Sequence, residues 1–148
     1  MSNDNTGGYA GDVAPAEVWA SLSTDERAVL VDVRTDAEWT FVGLPDLSSI
    51  GKRVIPLEWQ VYPTMAQVPD FVATLTRLLE DFGLGRDAPV YLICRSGVRS
   101  RHAAIAMTEA GWQRCYNVGT GFEGTHDAAG HRGRVAGWKA DGLPWTQY

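Results

Sequence analysis

Seven consecutive residues, Cys94-Arg95-Ser96-Gly97-Val98-Arg99-Ser100, combine the groups needed to form and hold a sulfur anion. A cysteine attacks as thiolate, and neighbouring positive charge favours that form. Arg95 and Arg99 supply full charges. Gly97 lets the chain curl so that successive amides turn inward as an anion-binding nest. The alternative is a buried cysteine with both arginines turned to solvent, which a strand-to-helix turn of this composition disfavours. A phosphate-binding cysteine loop places an arginine six residues after the cysteine, so that its guanidinium grips two oxygens. Here that place is Ser100, and the arginines stand at 99 and 101. The tighter nest suits a terminal sulfur on the cysteine better than a whole phosphate group.

The elements on either side put this loop where ligands bind. "APVYLIC" is a β-prone apolar run ending on Cys94, and "RSRHAAIAMTEAGW" reads as a helix that stops at Gly111. Ala103, Ala106, Met107 and Ala110 are expected on one face, where the alanines would let the helix lie close to a sheet. A helix N-terminus beside Cys94 adds partial positive charge from its unpaired amides. "AVLVDVR" and "CYNVG" read as further buried strands, and "RVIPL" as a short one stopped by Pro56. "TDAEW" is a helical turn capped by Thr35. "VPDFVATLTRLLEDFGLG" is the clearest helix, with Phe71, Leu75, Leu78, Leu79 and Phe82 as its apolar stripe. "APAEVWASLS" is a helix opened by Pro15.

Strands alternating with helices predict an α/β fold, a parallel sheet of about five strands with helices on both faces. Residues 1–8 read as a loose tail and 9–148 as one domain. The aperiodic, Gly-rich 119–137 stretch reads as a long loop before the C-terminal motif.

The chain has 148 residues, is 45% hydrophobic and 21% charged, and carries a formal charge of -5. Its scattered basic residues argue against nucleic acid as a partner. No apolar run approaches a membrane span, and the polar N-terminus lacks the pattern of a secretory leader. The expected location is cytoplasmic, with both cysteines reduced. Cys94 closes one strand and Cys115 opens another, so in a parallel sheet they lie roughly 15 Å apart, too far for a bridge. Cys115 is expected to be a small core residue.

"CRSGVRS" after an apolar strand resembles the active-site loop of rhodanese-homology sulfurtransferases. "LVDVRTDAEW" (30–39) is similar to the family's N-terminal motif and "GWKADGLPW" (137–145) to its C-terminal one. The resemblance implies a Cys94 persulfide: Cys94 takes sulfane sulfur from a small anionic donor such as thiosulfate. It then gives the sulfur to a thiophilic acceptor such as cyanide, a thiol or an acceptor protein. The amides of Arg95 through Ser100, including Ser96 and Val98, would cradle the persulfide, and Arg95 and Arg99 would hold the donor. No metal or organic cofactor is implied. The rival readings are a non-catalytic or sulfur-carrying interaction module on the same fold and a phosphatase- or arsenate-reductase-like enzyme. "GLPDLSSIGKRVIPL" departs from the family pattern, with Leu44 where a histidine is common, and reads as a local loop change away from the chemistry. Oligomeric state is left open.

Around this loop, Asp32 and Arg34 close the first buried strand on the same edge. The resemblance implies that Asp32 is a structural brace near the active loop; the alternative is a strand-end cap for the "TDAEW" turn. Trp59 and Tyr62 follow "RVIPL" and either wall a pocket or pack in the core. Trp138 and Trp145 are assigned to the core. His126, His131, Arg132 and Arg134 sit in the long loop, where they form either a basic lid or a solvated surface. His126 and His131 lack the companions of a metal site, and His102 has no assigned chemistry.

Overall fold

A computed structural model describes residues 8–147. Most of the expected tail, residues 1–7, lies outside that range. Five strands form one parallel sheet: β1 (Gly11–Val13), β2 (Val29–Asp32), β4 (Ile55–Pro56), β5 (Val90–Ile93) and β6 (Cys115–Val118), in the order β1-β6-β5-β2-β4. Four helices accompany it: α1 (Pro15–Thr24), α2 (Asp36–Phe41), α3 (Phe71–Asp81) and α4 (Val98–Glu109). A separate antiparallel pair, β3 (Leu44–Pro45) with β7 (Trp145–Thr146), ties the region after α2 to the C-terminal motif. β1 was not anticipated: three residues bounded by Gly-rich sequence carry no readable period, yet Gly11–Val13 pairs with Tyr116–Val118. β7 likewise lies outside every stretch that read as a strand.

Each central strand is apolar on both sides, because both faces of the sheet are covered. Val90, Leu92 and Cys94 pack with Leu75 and Leu79 of α3 and with Ala103 and Met107 of α4. The alternating residues Tyr91 and Ile93 pack on the other face with Val18 and Leu22 of α1, Phe122 and Trp138. This two-sided burial explains why the strands read as continuous apolar runs rather than alternations. The buried face of α4 is Ser100, Ala103, Ala104 and Met107, whereas Ala110 is exposed. On α3 the deepest stripe is Phe71, Leu75 and Leu79; Phe82, past the helix end, turns into solvent.

The chain passes from β2 out to β4 and then crosses back to β5. Strand order therefore reverses at the β2–β5 boundary, where open α/β sheets place their ligands. Cys94 follows β5 at that boundary, and Asp32 ends β2 beside it. None of the described helices is long and apolar enough to cross a membrane.

Candidate active site

Cys94 leaves β5 into a three-residue turn, and α4 starts at Val98 with Gly97 as its N-cap. The helix thus begins at Val98, one residue before the stretch that read as helical. Gly97 has φ +101°, and a Cβ there would collide with the backbone carbonyl of Gly119, so glycine is required twice over. The turn aims the Gly97 N–H at Cys94 Sγ, which it meets at 3.1 Å. The amides of Val98, Arg99 and Ser100, in the first turn of α4, have no carbonyl partners within the helix. Cys94 itself is 1% exposed.

A buried polar chain backs the sulfur. Ser100 Oγ lies 3.1 Å from Cys94 Sγ and 2.6 Å from Asn117 Oδ1. Asn117 Nδ2 donates to Asp12 Oδ1 and to the Gly97 carbonyl, both at 3.0 Å. The Tyr9 hydroxyl donates to the same Asp12 oxygen at 2.7 Å. Burial first, and then the Asp12 carboxylate, push the Tyr9 phenol up from its ordinary value. With Nδ2 held by two acceptors, Asn117 must accept through Oδ1, and Ser100 has a single proton to give. Ser100 Oγ is within donor range of both Asn117 Oδ1 and Cys94 Sγ, so its one proton can serve only one of them at a time. Loss of the Cys94 proton brings two acceptors face to face unless the Ser100 hydroxyl swings to the sulfur. Ser100 is therefore a positioning residue whose donor is shared between Asn117 and Cys94.

The two arginines of the loop differ. Arg99 makes a bidentate pair with Glu38 of α2, at 2.6 and 2.9 Å. Burial alone would raise the Glu38 carboxyl, but the Arg99 hydrogen bonds and charge outweigh it and hold the group below its ordinary value. Glu38 also closes the capping box of α2 with Thr35. Arg95 is exposed, and no carboxylate of the described residues lies within ion-pair distance of it. The free positive charge beside Cys94 therefore belongs to Arg95, while that of Arg99 is compensated.

The cap of α2 is Thr35 and not Asp32, whose carboxylate instead holds Arg34. Both members of the Asp32–Arg34 pair are fully buried. Arg34 Nη2 donates to Asp32 Oδ2 at 2.7 Å and to the Gly43 carbonyl at 2.6 Å. The guanidinium also lies 4.2 Å from the Phe122 ring centre. The Phe122 amide in turn donates to the Cys94 carbonyl at 2.8 Å, and the Glu123 and Gly124 amides donate to the Arg95 carbonyl. So the start of the Gly-rich stretch is bonded to the backbone of the active loop. A Cβ at Gly121 would strike the Arg95 carbonyl. The 119–137 stretch holds no helix or strand, and its 122–124 part is fixed to the active loop.

Of the other expected residues, Tyr62 and Arg132 line a cleft beside the active loop, together with Arg95 and Arg99. Trp59 is buried against Phe71 and belongs to the core. His126 and His131 are exposed and do not line the cleft, because the turn 127–131 closes on itself through Asp127. Arg134 reaches back toward Asp127 rather than toward Cys94. Trp138 is in the core, but Trp145 is exposed under Lys139 Nζ, which corrects its core assignment. Cys115 is level with Val90, four residues before Cys94 in the neighbouring strand, and both cysteines are free. Burial pushes the Cys115 thiol up to about 12. The departing segment after Gly43 is anchored by β3 and by Lys52 Nζ, which donates to the Asp25 and Ala28 carbonyls. Its first carbonyl, that of Gly43, touches the Arg34 guanidinium.

A family model for the rhodanese-like domain matches residues 14–128. The chain belongs to the rhodanese-like domain family. It is similar to the crystal structure of Rv0390 from M. tuberculosis, with 50% identity, a TM-score of 0.83, and coverage of 95% of this chain and 99% of that one. It is 35% identical over 133 residues to the uncharacterized protein RC0915 of Rickettsia conorii, covering 90% of this chain and 94% of the relative. A sulfurtransferase of Allochromatium vinosum is 27% identical over 123 residues, covering 83% of this chain and 82% of that protein. The five-stranded parallel sheet and its helices are the rhodanese-like fold.

Two residue sets at the site escaped the sequence. Glu38 was visible as the fourth member of Thr35-x-x-Glu38, a capping-box pattern, but its pairing with Arg99 spans 61 positions. Asn117 stood in the open: an amide inside an apolar strand is a poor β-former and needs buried partners.

Proposed function

We propose that this rhodanese-like protein is a sulfurtransferase that carries sulfane sulfur as a persulfide on Cys94. One observation carries the reading: Cys94 Sγ accepts the Gly97 N–H at 3.1 Å at the ligand-binding edge of the sheet. With thiosulfate as donor, the Cys94 thiolate attacks the outer sulfur and an Sγ–S bond forms. The donor's S–S bond breaks, and its electron pair leaves on sulfite. The persulfide's terminal sulfur keeps one negative charge, facing the α4 terminus and its unpaired amides. Arg95 attracts the donor dianion. An acceptor such as cyanide then attacks the terminal sulfur, departs as thiocyanate and restores the Cys94 thiolate. This is covalent, two-stage catalysis. The similarity to the A. vinosum sulfurtransferase supports it.

The test is intact mass after incubation with thiosulfate, followed by cyanide and an assay for thiocyanate. One sulfur is expected on the wild type and none on Cys94→Ser. A wild type that gains no sulfur, or a Cys94→Ser protein that gains as much, would refute the proposal.

A further inference from the structure

The cleft that adjoins the active loop at Arg95 and Arg99 is larger and more apolar than an inorganic donor or cyanide requires. Its volume is about 650 Å³, within the range of clefts that hold large organic ligands. Three side chains on its walls stand far into solvent: Phe41 is 78% exposed, Tyr62 66% and Met65 39%. Seven large apolar side chains are exposed among the described residues, and three of them gather at this one place. Small inorganic anions gain nothing from apolar walls. Clustered exposed apolar residues mark interaction surfaces.

The exposure is held in place by the backbone. Tyr62 and Met65 sit in a hairpin closed by the Val61 amide on the Ala66 carbonyl and the Met65 amide on the Val61 carbonyl, at 3.0 and 2.7 Å. Met65 has φ +57°, a conformation that a non-glycine residue rarely adopts, and such strain gathers at functional sites. Phe41 comes from a different element, the last turn of α2. Arg132 comes from a third, fixed by its bond to the Gly124 carbonyl. Neither Arg95 nor Arg132 has an ion-pair partner among the described residues, and Arg99 is neutralised by Glu38. Against these two free cations the cleft sets one further carboxylate, Glu123, in a chain whose formal charge is -5. Phe, Tyr, Met and Arg together are the side chains enriched where proteins meet.

We propose that this cleft docks a polypeptide segment bearing the acceptor cysteine, with apolar side chains toward Phe41, Tyr62 and Met65 and a carboxylate toward Arg95 and Arg132. The inference rests on the persulfide reading above. The acceptor thiolate attacks the terminal sulfur of the Cys94 persulfide. An S–S bond forms on the acceptor as the Sγ–S bond breaks, and its electron pair returns to Cys94. No oxidant or reductant is needed.

The experiment loads Cys94 with thiosulfate, verifies one added sulfur by intact mass, and follows single-turnover discharge. The acceptors are cyanide, N-acetylcysteine, a pentapeptide Leu-Glu-Cys-Phe-Glu with blocked ends, and the same peptide with both Glu replaced by Lys. The acidic peptide is expected to discharge the persulfide faster than N-acetylcysteine and the lysine peptide. In a Phe41→Ser/Tyr62→Ser protein the ratio of acidic-peptide to cyanide rates should fall at least about fivefold. In Arg132→Glu the preference should shift toward the lysine peptide. Circular dichroism checks that both variants fold. Sulfur uptake with equal discharge to all three thiols, or with an unchanged ratio in the double variant, overturns the docking proposal alone. A protein that takes up no sulfur overturns both proposals.

Discussion

Replacing Asp32 by Asn removes one charge and almost no volume from the most buried ion pair among the described residues. Asp32 and Arg34 are both fully buried, so solvent does not screen their attraction. The carboxylate accepts from Arg34 Nε at 3.0 Å and Nη2 at 2.7 Å, and from the Arg34 amide at 3.1 Å. An Asn keeps the bonds to Oδ1 but turns an NH2 toward Nη2, so a donor faces a donor and the guanidinium is left without a counter-ion. Removing one partner of a buried pair costs about 3–5 kcal/mol, against a total stability of about 5–15 kcal/mol for a domain. Urea unfolding at neutral pH should show the midpoint falling with little change in slope. The double variant Asp32→Leu/Arg34→Met removes both charges and should recover most of the loss. A cost below about 1 kcal/mol for Asp32→Asn would refute the reasoning. So would a double variant no more stable than the single one.

Gly97→Ala must accommodate φ +101° and a Cβ against the Gly119 carbonyl. Sulfur uptake should slow by at least about tenfold and the unfolding midpoint should drop, because the left-handed conformation alone costs about 1–2 kcal/mol. Ser100→Ala leaves the buried Asn117 Oδ1 without its donor, so urea unfolding should show a loss of about 1–3 kcal/mol. Unchanged stability would mean that the Ser100 proton is not committed to Asn117. Glu38 titrates below its ordinary value of 4.5 when folded, so its contribution is complete at pH above the unfolded value and is lost as pH falls through the folded one. Glu38→Gln should therefore be less stable than wild type near neutrality and converge with it in acid; a constant gap across that range would count against the pair. With its thiol pushed up to about 12 by burial, Cys115 should resist iodoacetamide at pH 8 in folded Cys94→Ser, and label only after unfolding.

The parts of the site held by neighbours in the chain were legible in the sequence. Cys94 at a strand end, Gly97 in the turn and Thr35 as a cap each follow from a few adjacent residues, and the strand–helix alternation follows from apolar runs and period. What the sequence did not disclose are meetings between distant segments. Arg99 was expected to hold the donor, but nothing near it in sequence reveals Glu38. The Gly-rich stretch has no period, so it read only as a long loop, without its bonds to the active turn. Yet Gly121 leaves no room for a side chain against the Arg95 carbonyl and Gly124 none against the Ala136 carbonyl, whereas Gly130 faces open space. β1 and β7 are two or three residues long, below the length at which a pattern can be read. Trp145 was placed in the core on residue type alone, and packing put it under Lys139 at the surface.

The bonds from the 122–124 amides to the Cys94 and Arg95 carbonyls join segments some 28 residues apart. Those amides therefore serve as native gauges of the nucleophile's backbone. Their protons exchange with solvent only when the clamp lets go, so the exchange rate at Phe122 measures how often the Cys94 turn comes loose. Sulfur loading that tightens the turn should slow exchange there before it affects the strand centres. The turn 127–131, which hangs from its own Asp127, should be indifferent to the sulfur.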